Sequence, residues 1–216
     1  MNIEELLKKY DSIESFYNGF ARVQLNGKSF FINKKFEESK IIYDWTSNFE
    51  NGFAIVLLNG KYGLINNKFE ESKIIYDWVS NFKNGFAIVQ INGKRGFINK
   101  QFKKVTKKQV LSTLCVREDK DFYYFKKILY KNLVSPIMDF QYKFNTKYNF
   151  YVDKDVKVNC GRGCNIATES WIAEFFQSCH NIYIIKIPKK NNTIVIASDM
   201  EKIRCKSVII TEEICS

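Results

Sequence analysis

The chain has little of what enzymes commonly use near neutral pH. Its 216 residues hold one histidine, His180, which stands in no triad context, so a generic hydrolase reading finds no support. Cysteine is absent until Cys115, and the six present (Cys115, Cys160, Cys164, Cys179, Cys205, Cys215) show no dense disulfide spacing. Reduced thiols and an intracellular, cytoplasmic setting are therefore expected. No stretch approaches the roughly 20 consecutive apolar residues of a membrane-spanning helix, so no membrane partner is expected. The opening MNIEELLKKYD places acids before bases, unlike a secretory signal. There are only two prolines, and Lys, Asn, Ile, Phe and Tyr abound. Such a composition fits an AT-biased genome, in which codon usage supplies part of the charge.

What is present is apolar and basic. With 45% hydrophobic and 16% aromatic residues, the chain can bury packed cores in two modest domains, which excludes disorder. The formal net charge of +11 invites a nucleic-acid partner, because clustered Lys and Arg release counterions from phosphates. The charge is not clustered, however. Residues 1–105 carry 16 Lys+Arg against 11 Asp+Glu, and the remainder 18 against 12, so neither half is a basic arm.

The dominant pattern is a unit of 33 residues written three times. Tyr10, Tyr43 and Tyr76 open the copies. Phe16, Phe49 and Phe82 follow, then Gly19, Gly52 and Gly85, then Asn26-Gly27, Asn59-Gly60 and Asn92-Gly93. FEESKIIYDW at 36–45 recurs letter for letter at 69–78. A period of this size means units too small to bury their own apolar faces, which stack on their neighbours.

Each copy encodes a hairpin. In the second, Asn59-Gly60 separates GFAIVLL from KYGLIN, and Asn-Gly supplies the positive φ that a type I′ turn requires at both central positions. A two-residue turn then sets the register, pairing Leu58 with Lys61, Val56 with Gly63 and Ala54 with Ile65. One face (Ala21, Val23, Leu25; Ala54, Val56, Leu58; Ala87, Val89, Ile91) is apolar in every copy and should face the core. The opposite face varies: Phe20, Arg22, Gln24, then Phe53, Ile55, Leu57, then Phe86, Ile88, Gln90. Ile55, Leu57, Tyr62 and Arg95 on this varied side are candidate binding residues. The alternative is that Ile55 and Leu57 pack on a neighbouring repeat. With the β-rich run KIIYDW, each copy should contribute about three short strands.

This pattern resembles the WG repeat, also called the KWG repeat. Phe49, Gly52, Ala54, Val56, Asn59, Gly60, Lys61, Tyr62, Gly63, Leu64, Ile65 and Asn66 occupy its positions. The resemblance covers residues 10 to about 105 and implies a β-repeat scaffold without chemistry of its own. The name-giving tryptophan is replaced by Ser29, Tyr62 or Arg95.

After Val105 the period stops. Phe122 to Tyr130, Asn181 to Pro188, Asn192 to Ala197 and Arg204 to Ile210 read as strands. Residues 168–179 read as a helix capped by Thr168, with Trp171, Ile172, Phe175, Phe176 and Cys179 on one face. Between them lies the string Cys160-Gly161-Arg162-Gly163-Cys164-Asn165-Ile166-Ala167-Thr168. It reads as a turn entering the helix, either a plain connection or an anion site at the helix N-terminus strengthened by Arg162. Cys160, Cys164, Cys179 and His180 have poor zinc spacing, so no metal is expected. From Leu129 to Ile214 the sequence resembles an uncharacterised domain of giant DNA virus proteins, carried by YKNLVSP (Tyr130 to Pro136), the Cys160 to Asn165 motif and Lys202-Ile203-Arg204-Cys205-Lys206. That pattern usually has histidine where Asn165 stands.

The expected architecture is mainly β: an N-terminal helical cap at 1–9, three WG-like β-hairpin repeats at 10–105, and a small α+β domain at 106–216. The expected function is non-catalytic binding of a protein partner, as a scaffold and with a viral setting, without cofactor. Ile55, Leu57, Tyr62 and Arg95 on the repeats and Arg162, Lys202 and Arg204 in the second half would make the contacts. Nucleic-acid binding through Lys and exposed Tyr123, Tyr124, Phe140 and Tyr142 is the alternative. A divergent ADP-ribosyltransferase is the second, since Gly161 to Ala167 faintly resembles a segment of those enzymes. Their His-Gly motif and catalytic Glu are missing.

Overall fold

A computed structural model describes residues 8–130, 132–133, 135, 140–152, 154, 164–167, 172, 180–197, 200 and 202–215. The chain divides into two compact units, Met1–Val105 and Thr106–Ser216. Lys8 and Lys9 are helical; the rest of the expected cap, at 1–7, lies outside the described residues.

The first unit is three small antiparallel sheets in series. The first holds β1 (Ser12–Ile13), β2 (Phe20–Leu25) and β3 (Lys28–Asn33), and the second holds β4 (Trp45–Thr46), β5 (Phe53–Leu58) and β6 (Lys61–Asn66). The third has β7 (Trp78–Val79), β8 (Phe86–Ile91) and β9 (Lys94–Asn99), and gains a fourth strand, β10 (Lys104–Val105), on the far side of β9.

Turn chemistry dictates this layout. Asn59 and Gly60 have φ of 51° and 72°, with near-identical values at the other two hairpin tips. Leu58 pairs with Lys61, Val56 with Gly63 and Ala54 with Ile65, the register expected from the turn. A second Asn-Gly turn sits upstream of each hairpin, at Asn18-Gly19, Asn51-Gly52 and Asn84-Gly85, again with positive φ at both residues. It folds the approach to each central strand back on itself, as in the Glu50 and Phe53 bridge. KIIYDW forms a short strand only at its end, where Trp78 and Val79 pair with Gln90 and Val89.

Both faces of the sheets are used. Ala54 and Val56 are buried in one cluster with Phe31, Tyr43, Phe49 and Ile65, against which Ile74 also packs. Phe53 and Leu64, on the opposite face of the same sheet, belong instead to the cluster of Tyr76, Val79, Phe82, Ala87, Val89 and Ile98. So each hairpin closes its own core with one face and roofs the following repeat with the other. This is the stacking that a 33-residue unit requires.

The second unit begins with a helix the sequence reading overlooked, α1 (Lys107–Leu114). Thr106 caps it, and Gln109 reaches back to the Thr106 N–H at 2.8 Å, completing a capping box. The strands follow: β11 (Arg117–Glu118), β12 (Phe122–Tyr130), β13 (Lys147–Asn149), β14 (Cys164–Ala167), β15 (His180–Pro188), β16 (Ile194–Ile196), β17 (Lys202–Cys205) and β18 (Ser207–Cys215). One sheet has the order β11-β12-β15-β18-β13, with β12 and β15 paired along nine residues. The other has the order β14-β17-β16.

Two expectations are corrected. Cys164 to Ala167 is not part of a turn but strand β14, paired with Lys202 to Cys205. The single strand expected from Arg204 to Ile210 is two strands broken at Lys206, whose N–H donates to the Thr193 carbonyl at 2.9 Å. Asn192 fixes the break by accepting the Ser207 N–H and donating to the Ser207 carbonyl, each at 2.9 Å, so the chain leaves one sheet and enters the other. Of the helix expected at 168–179, only Ile172 is described, and it is helical and buried.

Candidate binding surface of the repeats

Two sets of polar contacts hold successive repeats in register. The Tyr10 hydroxyl donates to Glu38 at 2.6 Å, and Tyr43 donates to Glu71 one period later. Burial and then the Glu71 carboxylate push the Tyr43 hydroxyl pKa far up, so it stays a proton donor. Tyr76 has Lys104 at the equivalent place, and burial alone raises its pKa. The second set is a carboxylate behind each turn. Asp11, Asp44 and Asp77 accept the backbone N–H of Asn26, Asn59 and Asn92. Asp44 also pairs with Lys28 of the preceding repeat, and Asp77 with Lys61. The lysine first, and the turn N–H second, hold both carboxyls below their ordinary range.

With the sheets fixed, the register assembles rows across them. Trp45 pairs with Leu57, and Leu57 with Tyr62. Trp78 pairs with Gln90, and Gln90 with Arg95. The same row in the first repeat is polar: Ser12, Gln24 and Ser29. Cross-strand partners share a face, and Arg95 Cζ accordingly lies 5.9 Å from the Trp78 ring centroid, a cation over an aromatic face. Trp45 is 45% exposed, and Ile42 and Ile75 beside the rows are 48% and 43% exposed. The tryptophan missing from Ser29, Tyr62 and Arg95 thus stands two strands away in two of the three rows. Sequence reasoning passed over Trp45 and Trp78, although the turn register and the pairing of the edge strand place them opposite Leu57 and Gln90.

The structure separates the candidate residues. Leu57 and Tyr62 are half-buried members of one row, and Arg95 is exposed in the next. Ile55 and Tyr62 both pack against the core of the third repeat, so both make inter-repeat contacts, and Tyr62 lends only its exposed part to the row.

In the second unit Arg204 is 1% exposed, contrary to the surface position expected for a binding residue. Arg204 lies on β17, the central strand of its sheet, between Asn165 and Val195, and both faces of that strand are covered, since Ile203, Arg204 and Cys205 are all buried. Lys202, at the start of the same strand, is half-buried. Arg162 lies outside the described residues, as do Cys160 and Cys179. Cys164 and Cys205 are buried free thiols opposite each other on β14 and β17. Lys127 donates to the Asn165 carbonyl at 2.7 Å beside them. The Cys205 thiol first, and then Lys127, favour the Cys164 thiolate, while burial pushes the Cys205 thiol up. Among the described residues no group of His, Cys, Asp and Glu is arranged to hold a metal ion.

The rings proposed for base stacking are largely committed elsewhere. Tyr123 and Tyr142 are buried. Tyr124 is half-buried under Arg117, 4.5 Å from its ring centroid. Phe140 packs edge-on against Tyr142, Tyr148 and Phe150. Among the described residues no helix is long and apolar enough to cross a membrane.

Residues 4–28, 30–62 and 62–94 match the family model of the WG containing repeat. This segment, less than half of the chain, is similar to that repeat. The match runs from 4 to 94, where the sequence reading gave 10 to about 105, and its second and third units begin on the return strands at Phe30 and Tyr62. A WG unit phased in this way spans the joint between one sheet and the next. No curated protein and no solved structure matches the chain.

Proposed function

We propose that the protein is a non-catalytic binding protein whose WG repeats present their cross-strand rows to a protein partner. The observation that carries this reading is the row of Trp45, Leu57 and Tyr62 beside the row of Trp78, Gln90 and Arg95. Aromatic side chains on a rigid sheet supply large contact area at small entropic cost, and arginine joins them at interface hot spots. The polar first row supplies no such anchor. The viral setting suggested by the second unit's resemblance, in host cytoplasm or virion, belongs to the same reading, as does the absence of turnover.

The test is comparative affinity capture with the full chain as bait. Wild-type protein should retain defined partners that Trp45→Ala and Leu57→Lys lose while keeping the wild-type melting temperature. Identical captured sets for wild type and both variants would remove the rows from the proposal. Conversion of labelled NAD by the protein above a heat-killed control would overturn the non-catalytic reading.

A further inference from the structure

Within the repeat unit, the joint between the second and third repeats is a seat with an occupant. Ile74 enters against Gly63: a Cβ built on that glycine would lie 2.8 Å from Ile74 Cγ1 and 3.3 Å from Ile74 Cα. Two residues on, Tyr76 exchanges both backbone hydrogen bonds with Tyr62, at 2.8 and 3.1 Å. Asp77 then closes on Lys61 at 2.6 Å. The recognised segment is therefore extended and reads Ile, any residue, Tyr, Asp. In the first repeat the glycine position is Phe30, whose ring meets Tyr10 edge-on at 5.5 Å; the segment still pairs there, Tyr43 exchanging both backbone hydrogen bonds with Ser29 at 2.8 and 2.7 Å, but Ile41 packs against the cluster of Tyr43 and Phe49 and not against that of Phe30.

The third repeat has the same seat with a different outcome. Val89, Ile91 and Gly96 stand where Val56, Leu58 and Gly63 stand one period earlier. A Cβ on Gly96 would meet only Val89 Cγ2, at 3.7 Å. Leu64 is fully buried, whereas its counterpart Phe97 is half-buried. After β10 the chain turns into α1 over the residues that would repeat KIIYDW. What opens instead is a cavity of about 380 Å³, lined by Val89, Ile91, Arg95, Gly96 and Phe97 and flanked by Lys94 and Lys104. Lys94, Arg95 and Lys104 are all exposed.

We propose that this seat binds an extended acidic peptide segment of a partner protein, with an apolar residue on Gly96, an aromatic residue bridging Arg95, and a following carboxylate on Lys94. The interface between the second and third repeats is the template, and the three cations set the sign of the ligand's charge. Strand addition of this kind draws affinity from main-chain hydrogen bonds and specificity from the alternate side chains. A second copy of this chain is the less suited occupant, because its Tyr10 follows Lys8 and Lys9 and would bring like charge to the seat. This inference rests on the protein-binding reading above and names a second place and a chemistry for it.

The test uses the full chain and a fluorescein-labelled peptide, Ser-Glu-Ile-Ile-Tyr-Asp-Glu, followed by fluorescence anisotropy. Gly96→Phe, which as at Phe30 takes the place of the segment's apolar residue but leaves the edge of β9 able to pair, should weaken binding severalfold without lowering the melting temperature. Lys94→Glu should weaken it similarly, and a scrambled peptide should bind no better than Gly96→Phe allows. Equal affinity for wild type and Lys94→Glu, or for the peptide and its scramble, overturns the proposal even if Gly96→Phe proves unstable. Concentration-dependent self-association in sedimentation that Gly96→Phe abolishes would assign the seat to a second copy and overturn it too. Gly96→Phe leaves Trp45 and Leu57 untouched, so loss of the peptide site and loss of the rows are separate results.

Discussion

Lys61 Nζ lies 2.6 Å from Asp77 Oδ1, and the bond crosses from the second repeat to the third. The other Asp77 oxygen takes the Asn92 N–H, so one carboxylate ties a neighbour's hairpin to its own turn. Lys28 and Asp44 do the same one period earlier. The residue that would answer Lys94 in this scheme is Val110.

Acid should loosen the joints. Lysine and turn N–H hold Asp44 and Asp77 below their ordinary 3.8 in the folded chain. A carboxyl with a depressed folded pKa adds stability that is complete above its unfolded value and is lost as pH falls through the folded one. The melting temperature of the repeat unit should therefore decline below about pH 4. Asp77→Asn should flatten part of that decline, and added salt should reduce the effect because these carboxylates are solvent-accessible. A decline of the same depth in Asp44→Asn/Asp77→Asn would exclude these groups.

Gly60→Val should destabilise the repeat unit by about 1–3 kcal/mol, because a β-branched residue at φ near 72° is strained. Thermal denaturation of the full chain is the measurement, and an unchanged first transition would contradict the role of the turn.

Gly63→Ala and Gly96→Ala make a matched pair. The first drives a methyl into Ile74 and should cost about 1–3 kcal/mol by overpacking. The second meets only Val89 at an ordinary distance and should leave stability nearly unchanged. Equal losses would mean that the two seats are alike.

Thr106→Ala should cost about 1 kcal/mol by removing the cap of α1, with the loss confined to the second unit. Hydrogen exchange at Gln109 and Val110 locates it, and unaltered protection there would show that the capping box is dispensable.

The hairpins were legible because the Asn-Gly turns fix the backbone at specific residues and the period-two pattern fixes the faces. The partner of each face was less legible. Ala54 reads as core, while Ile55 on the varied face reads as a binding residue or as a contact to a neighbouring repeat, and stacking decides for the second. Trp45 was overlooked because its neighbour Leu57 is 12 positions on, and only the sheet brings them together. Arg204 misled because a charged residue in a basic, alternating stretch reads as exposed, while both faces of β17 are covered in the fold. α1 was hidden in a polar stretch, where the Thr106 to Gln109 capping box was the available clue.

The stretches at 36–45 and 69–78, identical letter for letter, each carry the end of one sheet and the beginning of the next. Plug and socket are thus written together in one short piece of chain. A duplication or deletion of 33 residues at these places leaves every joint complete, because the same words meet on both sides of the cut. For this protein, the reach of the array is a quantity that can change in whole steps of one repeat without refitting either end.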